Sequence, residues 1–351
     1  MANRVTFTNT SGQALFVEAG ERNNLVDRHA EVFENGFDGF PELGLLDAYG
    51  MFFPEGNVKN KPFVYFRHTD AAKGKHRFAN LVELGDDYLD VQKGVYHADE
   101  VAQADTPLIN YHKVSENPLV YGYGSVEKKV DIKYYEKYMT LQEGDFLKLN
   151  AFPWPVTFYD HQSVYLNAST IFQPVTFAGS FEGKPVLGLG SCDRMFFKTS
   201  EGFDTVPLGY IAMAAMGIRA DGRKESLLIS LSLNEVGKHL GMYFLEGETP
   251  VITDSVTVEA DWVHLPYVDD GTCVFKDATF YVGNKVIHFN GKWGSKGFTA
   301  KPRIEKHGQS QVFGTWYEGN TPYDHRLFFT FVENMDAYDT KLEKLGFKVL
   351  K

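Results

Sequence analysis

Two carboxylates occupy positions where acid–base chemistry is conceivable. Asp193 closes the run Gly188-Leu189-Gly190-Ser191-Cys192, and Arg194 follows it directly. Glu318 lies two residues after Trp316. Because strand side chains alternate with a period of two, those two share a face. Exposed to water, both carboxyls would ionise. Held in an apolar pocket, either could keep its proton near neutrality, since burial disfavours the charged form. A protonated carboxyl beside aromatic rings suits proton transfer to an alkene, because ring faces stabilise the positive charge that develops. Asp193 and Arg194 point to opposite faces of a regular strand, so only one of them can enter a given pocket. The same period places Trp262 with His264, and Tyr323 with His325. Arg194, Tyr243, Trp262, His264, Trp293, Trp316, Tyr323 and His325 form the candidate substrate-binding set, with Asp193 and Glu318 as candidate catalytic acids. The competing readings are structural: an ion pair at Asp193, a surface charge at Glu318, satisfied histidines and a packed Trp293.

Other chemistries find less support. Gly188-x-Gly190 lacks the third glycine of a dinucleotide-binding loop, and no strand–helix–strand context surrounds it. There is no phosphate-binding Gly-Lys loop, no His-Glu-x-x-His and no Gly-x-Ser-x-Gly. The 11 histidines show no metal-ligand spacing. The expectation is a protein with neither cofactor nor metal.

The elements that must position these residues are strands. Of 351 residues, 43% are apolar and 15% aromatic, with 29 Phe and 19 Tyr, a composition suited to half-buried pleated surfaces. Ser226 to Leu233 alternates through Ile229, Leu231 and Leu233. Thr279 to Trp293 holds two β-rich runs around Gly283-Asn284, a two-residue hairpin signal. Asp221-Gly222 and Asp270-Gly271 punctuate neighbouring runs, and the rhythm from 174 to 332 fits an antiparallel meander closing on itself. Helices are expected only at Asp131–Leu141 and at the C-terminus, Met335–Leu350. Two short echoes, Tyr159-Asp160-His161 against Tyr323-Asp324-His325 and Gly122-x-Gly124 against Gly188-x-Gly190, have different offsets and so cannot report one duplication. The length favours two domains or one large β assembly, with a candidate boundary between 165 and 174. A net charge of −11 argues against nucleic acid and anionic lipid as partners. Cys192 and Cys273, too far apart for a paired motif, fit a reducing compartment. No apolar run reaches the ~20 residues of a membrane span, and none near the first residue makes a signal peptide, so a cytoplasmic location is expected.

The order of features in the second half resembles the tandem lipocalin-like superfamily, which includes carotenoid 1,2-hydratases, kievitone hydratases, fungal Diels–Alderases and bacterial proteins assigned as hydrolases. The likeness rests on the hairpin Val175-Thr176-Phe177-Ala178-Gly179-Ser180-Phe181-Glu182-Gly183-Lys184-Pro185-Val186, which runs into Gly188 to Phe196. The strand through Leu228–Leu233, then Gly241-Met242-Tyr243-Phe244, Trp293 and Trp316-Tyr317-Glu318-Gly319 continue it. Asp193 takes the family's Asp position, Arg194 stands where His is usual, and Phe196 where Trp is usual. In the first half the likeness covers only Tyr49 to Arg67. The resemblance implies an all-β fold of two lipocalin-like antiparallel barrels in tandem, 1–170 and 171–351, with a short C-terminal helix. It further implies hydration, isomerisation or cyclisation of a terpenoid, polyketide or carotenoid-like molecule. The alternative is a carrier that binds a lipid or other hydrophobic ligand without turning it over.

Overall fold

Alternating burial, rather than long apolar runs, shapes most of the chain. In Val130–Tyr134 the residues Val130, Ile132 and Tyr134 are buried, while Asp131 and Lys133 turn outward. The computed structural model describes residues 4–9, 35–37, 39–54, 62–84, 94–97, 100, 102, 105–162, 164–198, 209–234, 237–265, 271–295 and 310–350.

The strands fall into two large antiparallel, barrel-like sheets. In chain order they begin with β1 (Arg4–Thr8), β2 (Glu42–Pro54), β3 (Phe63–Asp70), β4 (Lys75–Glu83), β5 (Gly94–Tyr96), β6 (Ile109–Glu116), β7 (Leu119–Ser125) and β8 (Val130–Tyr134). There follow β9 (Met139–Glu143), β10 (Leu147–Pro153), β11 (Phe158–His161), β12 (Ala168–Phe181), β13 (Lys184–Phe197), β14 (Tyr210–Ile218), β15 (Lys224–Ser232) and β16 (His239–Leu245). The last are β17 (Val251–Thr253), β18 (Ser255–His264), β19 (Cys273–Val282), β20 (Lys285–Ser295), β21 (Ser310–Glu318), β22 (Leu327–Met335) and β23 (Val349–Leu350), with one described helix, α1 (Asp339–Lys344).

The first sheet runs β5-β4-β3-β2-β13-β12-β10-β9-β8-β7-β6, with β11 beside β12. An isolated bridge between Lys75 and Pro107 brings its two ends together. The second runs β1-β18-β19-β20-β21-β22-β14-β15-β16-β17, with β23 beside β18. Asn9, just after β1, exchanges hydrogen bonds with the backbone of His239 on β16 at 2.8 and 3.2 Å, which draws the edges of this sheet together.

Each sheet encloses its own core. One holds Leu46, Tyr65, Ile132, Leu149 and Phe177, the other Ile229, Val258, Trp262, Phe280 and Trp316. A third cluster lies between the sheets, joining Met51, Phe53, Val64, Phe66 and Phe172 to Met216, Leu228, Met242, Phe313 and Phe329. The period of two explains this division. Even-numbered residues of β2, such as Leu46 and Ala48, point into the first sheet, and the odd ones, Met51 and Phe53, point to the seam. On β15, Leu227, Ile229 and Leu231 point inward while Leu228 faces the seam.

The all-β two-barrel arrangement expected from the sequence is present, and so is a short C-terminal helix, although Met335 belongs to β22 and the helix spans only Asp339–Lys344. Gly346, at φ +98°, follows it, and the chain then extends into β23. Asp131–Leu141 is not helical but forms β8, a turn and β9, because its apolar residues alternate with period two. The expected domain division near 170 falls inside β12, which is hydrogen-bonded to β10 and β13. The hairpin β12–β13 therefore belongs to the first sheet and β1 to the second, so the chain passes between the sheets after β1 and again between β13 and β14. The glycines before Asp193 serve close strand approach. A Cβ on Gly190 would meet the Tyr49 carbonyl at 1.8 Å, and one on Gly188 the Met51 carbonyl at 2.3 Å. The Gly283-Asn284 hairpin forms as expected, with Gly283 at φ +58°. Both cysteines are buried and form no disulfide. No described helix is long and apolar enough to cross a membrane.

Candidate functional site

A cavity of about 120 Å³ opens in the seam between the sheets. Asp47, Ser191 and Asp193 reach it from the first sheet, and Tyr210, Phe331 and Glu333 from the second. Asp193 gets there because β13 alternates. Cys192 and Arg194 turn into the first sheet, while Ser191, Asp193 and Met195 turn to the seam.

Asp193 is paired in register with Asp47 of β2, and Asp47 with His68 of β3. Directly opposed residues bring their Cβ atoms to about 4.5–5.5 Å, a separation at which two carboxylates repel. The row therefore reads imidazole, carboxyl, carboxyl across three strands. His68 Nδ1 lies 2.7 Å from Asp47 Oδ1, and the Tyr49 hydroxyl donates to Asp47 Oδ2 at 3.0 Å. Asp193 has less support. Its Oδ1 is buried and has no hydrogen-bond partner among the described residues. Burial, and then the charge of Asp47, push the Asp193 carboxyl well above the usual carboxylate range. The nearby Ser191 hydroxyl and Arg194 oppose that shift without overcoming it. Across the seam, Glu333 accepts from the Tyr210 hydroxyl, and from Gln311 Nε2 at 2.6 Å. Burial also raises the Tyr49 phenol, which stays a neutral donor.

A second polar cluster lies inside the second sheet, around Glu225. Its carboxylate accepts from Arg219 at 2.7 and 2.8 Å, from the hydroxyls of Tyr243 at 2.6 Å and Tyr323 at 2.8 Å, and from His325 Nε2 at 3.0 Å. Burial opposes its charge, but Arg219, His325 and Tyr243 hold it at about 2. The first sheet has a counterpart. Glu143 accepts from Arg67 Nε, from Arg67 Nη2 at 2.7 Å and from the Tyr65 hydroxyl at 3.0 Å, with both charged side chains fully buried. His76, which faces Arg67, is held neutral, its pKa lowered to about 4 by burial and by that guanidinium.

The sequence-derived candidates therefore scatter. Only Asp193 lines the seam cavity. Arg194 points away from it, bonds the Cys192 carbonyl at 3.1 Å and lies over the Tyr134 ring at 4.7 Å. Tyr243, Tyr323 and His325 converge on Glu225, and Trp316 packs on His325 with ring centres 4.8 Å apart. Glu318 sits at the rim of that cluster, half-buried, 3.6 Å from Arg219 and 3.9 Å from Lys285. Trp262 is buried against Phe275 and Phe347. His264 is partly exposed, 3.5 Å from Asp339. The backbone of Trp293 lies in β20, opposite Phe313, and its side chain is outside the described residues.

Sequence reading missed Asp47, His68, Glu333, Glu225 and Arg219. A signal existed for Asp47, the one charge inside the apolar run Leu43 to Pro54. Among the described residues no group of His, Cys, Asp and Glu has the geometry to hold a metal ion.

No protein-family model matches the sequence, and no curated protein matches it. Among solved structures, a Nitrosomonas europaea protein assigned as an AttH is similar over 84% of this chain and 93% of its own, at 11% identity and a TM-score of 0.46. Kievitone hydratase from Nectria haematococca is similar over 95% of this chain and 96% of its own, at 9% identity and a TM-score of 0.48.

Proposed function

We propose that the seam cavity is an active site in which the Asp193 carboxyl, kept protonated, delivers its proton to an apolar small molecule. The observation that carries this is the position of Asp193 at the cavity wall, opposite Asp47, with its Oδ1 buried and without a hydrogen-bond partner among the described residues. A carboxyl held neutral by an apolar site and a neighbouring like charge is how a fold keeps a general acid at neutral pH.

The chemistry follows from that proton. Its transfer to one alkene carbon leaves a cation on the other and a carboxylate on Asp193. Water can then add and return its proton to Asp193, which is hydration. Loss of a neighbouring proton to Asp193 gives isomerisation. Attack by a second double bond of the same molecule, followed by proton loss, gives cyclisation. Each course regenerates the acid from the chain's own groups and requires no cofactor. Phe172, Phe329 and Phe331 line the cavity, and a ring face turned to the substrate favours the cationic stage.

Size restricts the substrate. A cavity of about 120 Å³ suits one ring, since an apolar cavity of about 150 Å³ takes up benzene. It is smaller than the ~300 Å³ at which pockets for drug-sized ligands begin. A carrier of whole lipids would need longer space than this, and among the described residues apolar side chains cluster in both sheet interiors. The reading is therefore an enzyme acting on a ring or ring-sized terminus of a hydrophobic molecule.

Infrared difference spectra of wild type against Asp193→Asn at neutral pH should show a protonated-carboxyl stretch that the variant lacks. If only carboxylate bands change, the acid assignment is wrong. Native mass spectrometry of protein from its source cells should then identify a co-purifying ligand, which Asp193→Asn binds but does not convert.

A further inference from the structure

The charge character of the seam cavity goes beyond what a proton donor requires. Four carboxyl groups border it, Asp47, Asp160, Asp193 and Glu333, and among the described residues no Lys, Arg or His does. The nearest basic side chains stand behind the wall. The His68 imidazole lies behind Asp47, at 2.7 Å, and the Arg194 guanidinium is on the opposite face of β13, turned into the first sheet. Glu333 accepts from a phenol and an amide, those of Tyr210 and Gln311. The other titratable groups at the wall are the phenols of Tyr49 and Tyr165.

Acidic residues in a group often mark no more than a solvated surface. Two features set this group apart. It encloses a cavity walled by the rings of Phe172, Phe329 and Phe331, whose faces are the negative part of their quadrupoles. It also contains a buried carboxyl oxygen, Asp193 Oδ1, with no hydrogen-bond partner among the described residues. A buried acceptor without a donor is costly, and a ligand that supplies positive charge removes the cost.

We infer that the seam cavity selects a ring-sized organic cation, or a ring that becomes cationic while bound, with its positive centre between Asp193 and the phenylalanine rings, and that it rejects anions. This rests on the active-site reading only for the protonation of Asp193 in the empty protein. The charge preference comes from the wall.

N-Methylpyridinium and toluene have nearly the same shape and differ in charge, and benzoate supplies the opposite sign. Isothermal titration of the full chain near neutral pH should find N-methylpyridinium bound about tenfold more tightly than toluene, and benzoate not at all. Toluene or benzoate binding as tightly as the cation, or no uptake of the cation, would overturn the inference. Repeating the titration in buffers of different ionisation heats counts protons. A permanent cation beside a protonated Asp193 should expel close to one proton, so its affinity should rise with pH. Cation preference without proton release would leave the selectivity standing and overturn the protonated Asp193. Proton release should vanish in Asp193→Asn, and Glu333→Gln should keep the release while narrowing the preference for the cation over toluene. An unchanged preference in both variants would place the cation elsewhere and sink the inference.

Discussion

Glu225 and Asp193 both place carboxyl oxygens out of reach of water on strands of this protein, and their surroundings drive them in opposite directions. Glu225 faces into the second sheet and receives donors from Arg219, Tyr243, Tyr323 and His325, which keep it ionised down to about 2. Asp193 faces the seam, stands opposite another aspartate and is pushed upward. Burial penalises the charge of both, so the supply of donors decides. A carboxylate whose lone pairs are filled holds a structure together and has nothing left to offer a substrate. One left unfilled beside a cavity costs stability and is available for chemistry, which is the usual signature of a site rather than of a scaffold.

The largest effect should come from the saturated side of that comparison. Glu143→Gln would leave the Arg67 guanidinium inside the first sheet without its carboxylate, both side chains being fully buried. Breaking a buried pair from one side costs about 3–5 kcal/mol. Urea unfolding should show this as a drop in the midpoint, and a loss below about 1 kcal/mol would mean that water reaches Arg67. Glu225→Gln comes next. The carboxyl pKa is lowered on folding from 4.5 to about 2, so its contribution is present above 4.5 and lost as pH falls through about 2. That interval corresponds to about 3 kcal/mol at neutral pH. Wild type should therefore lose stability between pH 4.5 and 2 by that route, whereas Glu225→Gln should be weaker at neutral pH and flatter on the acid side. Parallel acid limbs in the two proteins would show that Glu225 is not the group being titrated.

How much of this could be read in advance depends on what each residue's partners are. The strand through Ile229, Leu231 and Leu233 and the Gly283-Asn284 hairpin are legible because alternation and turn chemistry are local. Asp131–Leu141 misled because charges between tyrosines suggest a solvated helix, while the period of Val130, Ile132 and Tyr134 is two. The C-terminal helix was legible in kind but not in length, since Gly346 and the pairing of β23 with β18 are what end it. Asp193 was found from its place after a glycine-rich strand, and its opposition to Arg194 followed from the period. Its partners were beyond reach. Asp47 lies 146 residues earlier and Glu333 lies 140 later, and only strand pairing and sheet packing bring them together. Trp262 and Trp316, expected to bind substrate, lie away from the seam cavity for a related reason. An inward strand face supplies a hydrophobic core as readily as a pocket, and Trp262 and Trp316 belong to the core of the second sheet. The seam, made from the outward faces of both sheets, is a tertiary product that no single strand announces.

The effect that sharpens the comparison most belongs to Asp193→Asn, and it is near zero at pH 4. Its sign opposes that of Glu225. The folded pKa of Asp193 is raised, so the folded protein holds a proton that the unfolded chain gives up. The stability linked to that proton is complete below the unfolded value near 3.9 and is lost as pH rises toward the folded value, at about 1.4 kcal/mol per pH unit. Asparagine is close to the neutral carboxyl in shape and carries no proton to lose. The variant should therefore match wild type near pH 4, within about 0.5 kcal/mol, and become progressively more stable than wild type as pH rises toward neutrality. Thermal midpoints measured from pH 4 to 8 would check this. If the difference is constant across that range, Asp193 is not held protonated, and its contrast with Glu225 is one of position alone. If it grows and then levels off, the levelling point locates the folded pKa of the acid. Adding Asp47→Asn should pull that point downward, because the opposing charge of Asp47 is one of the two influences that raise it.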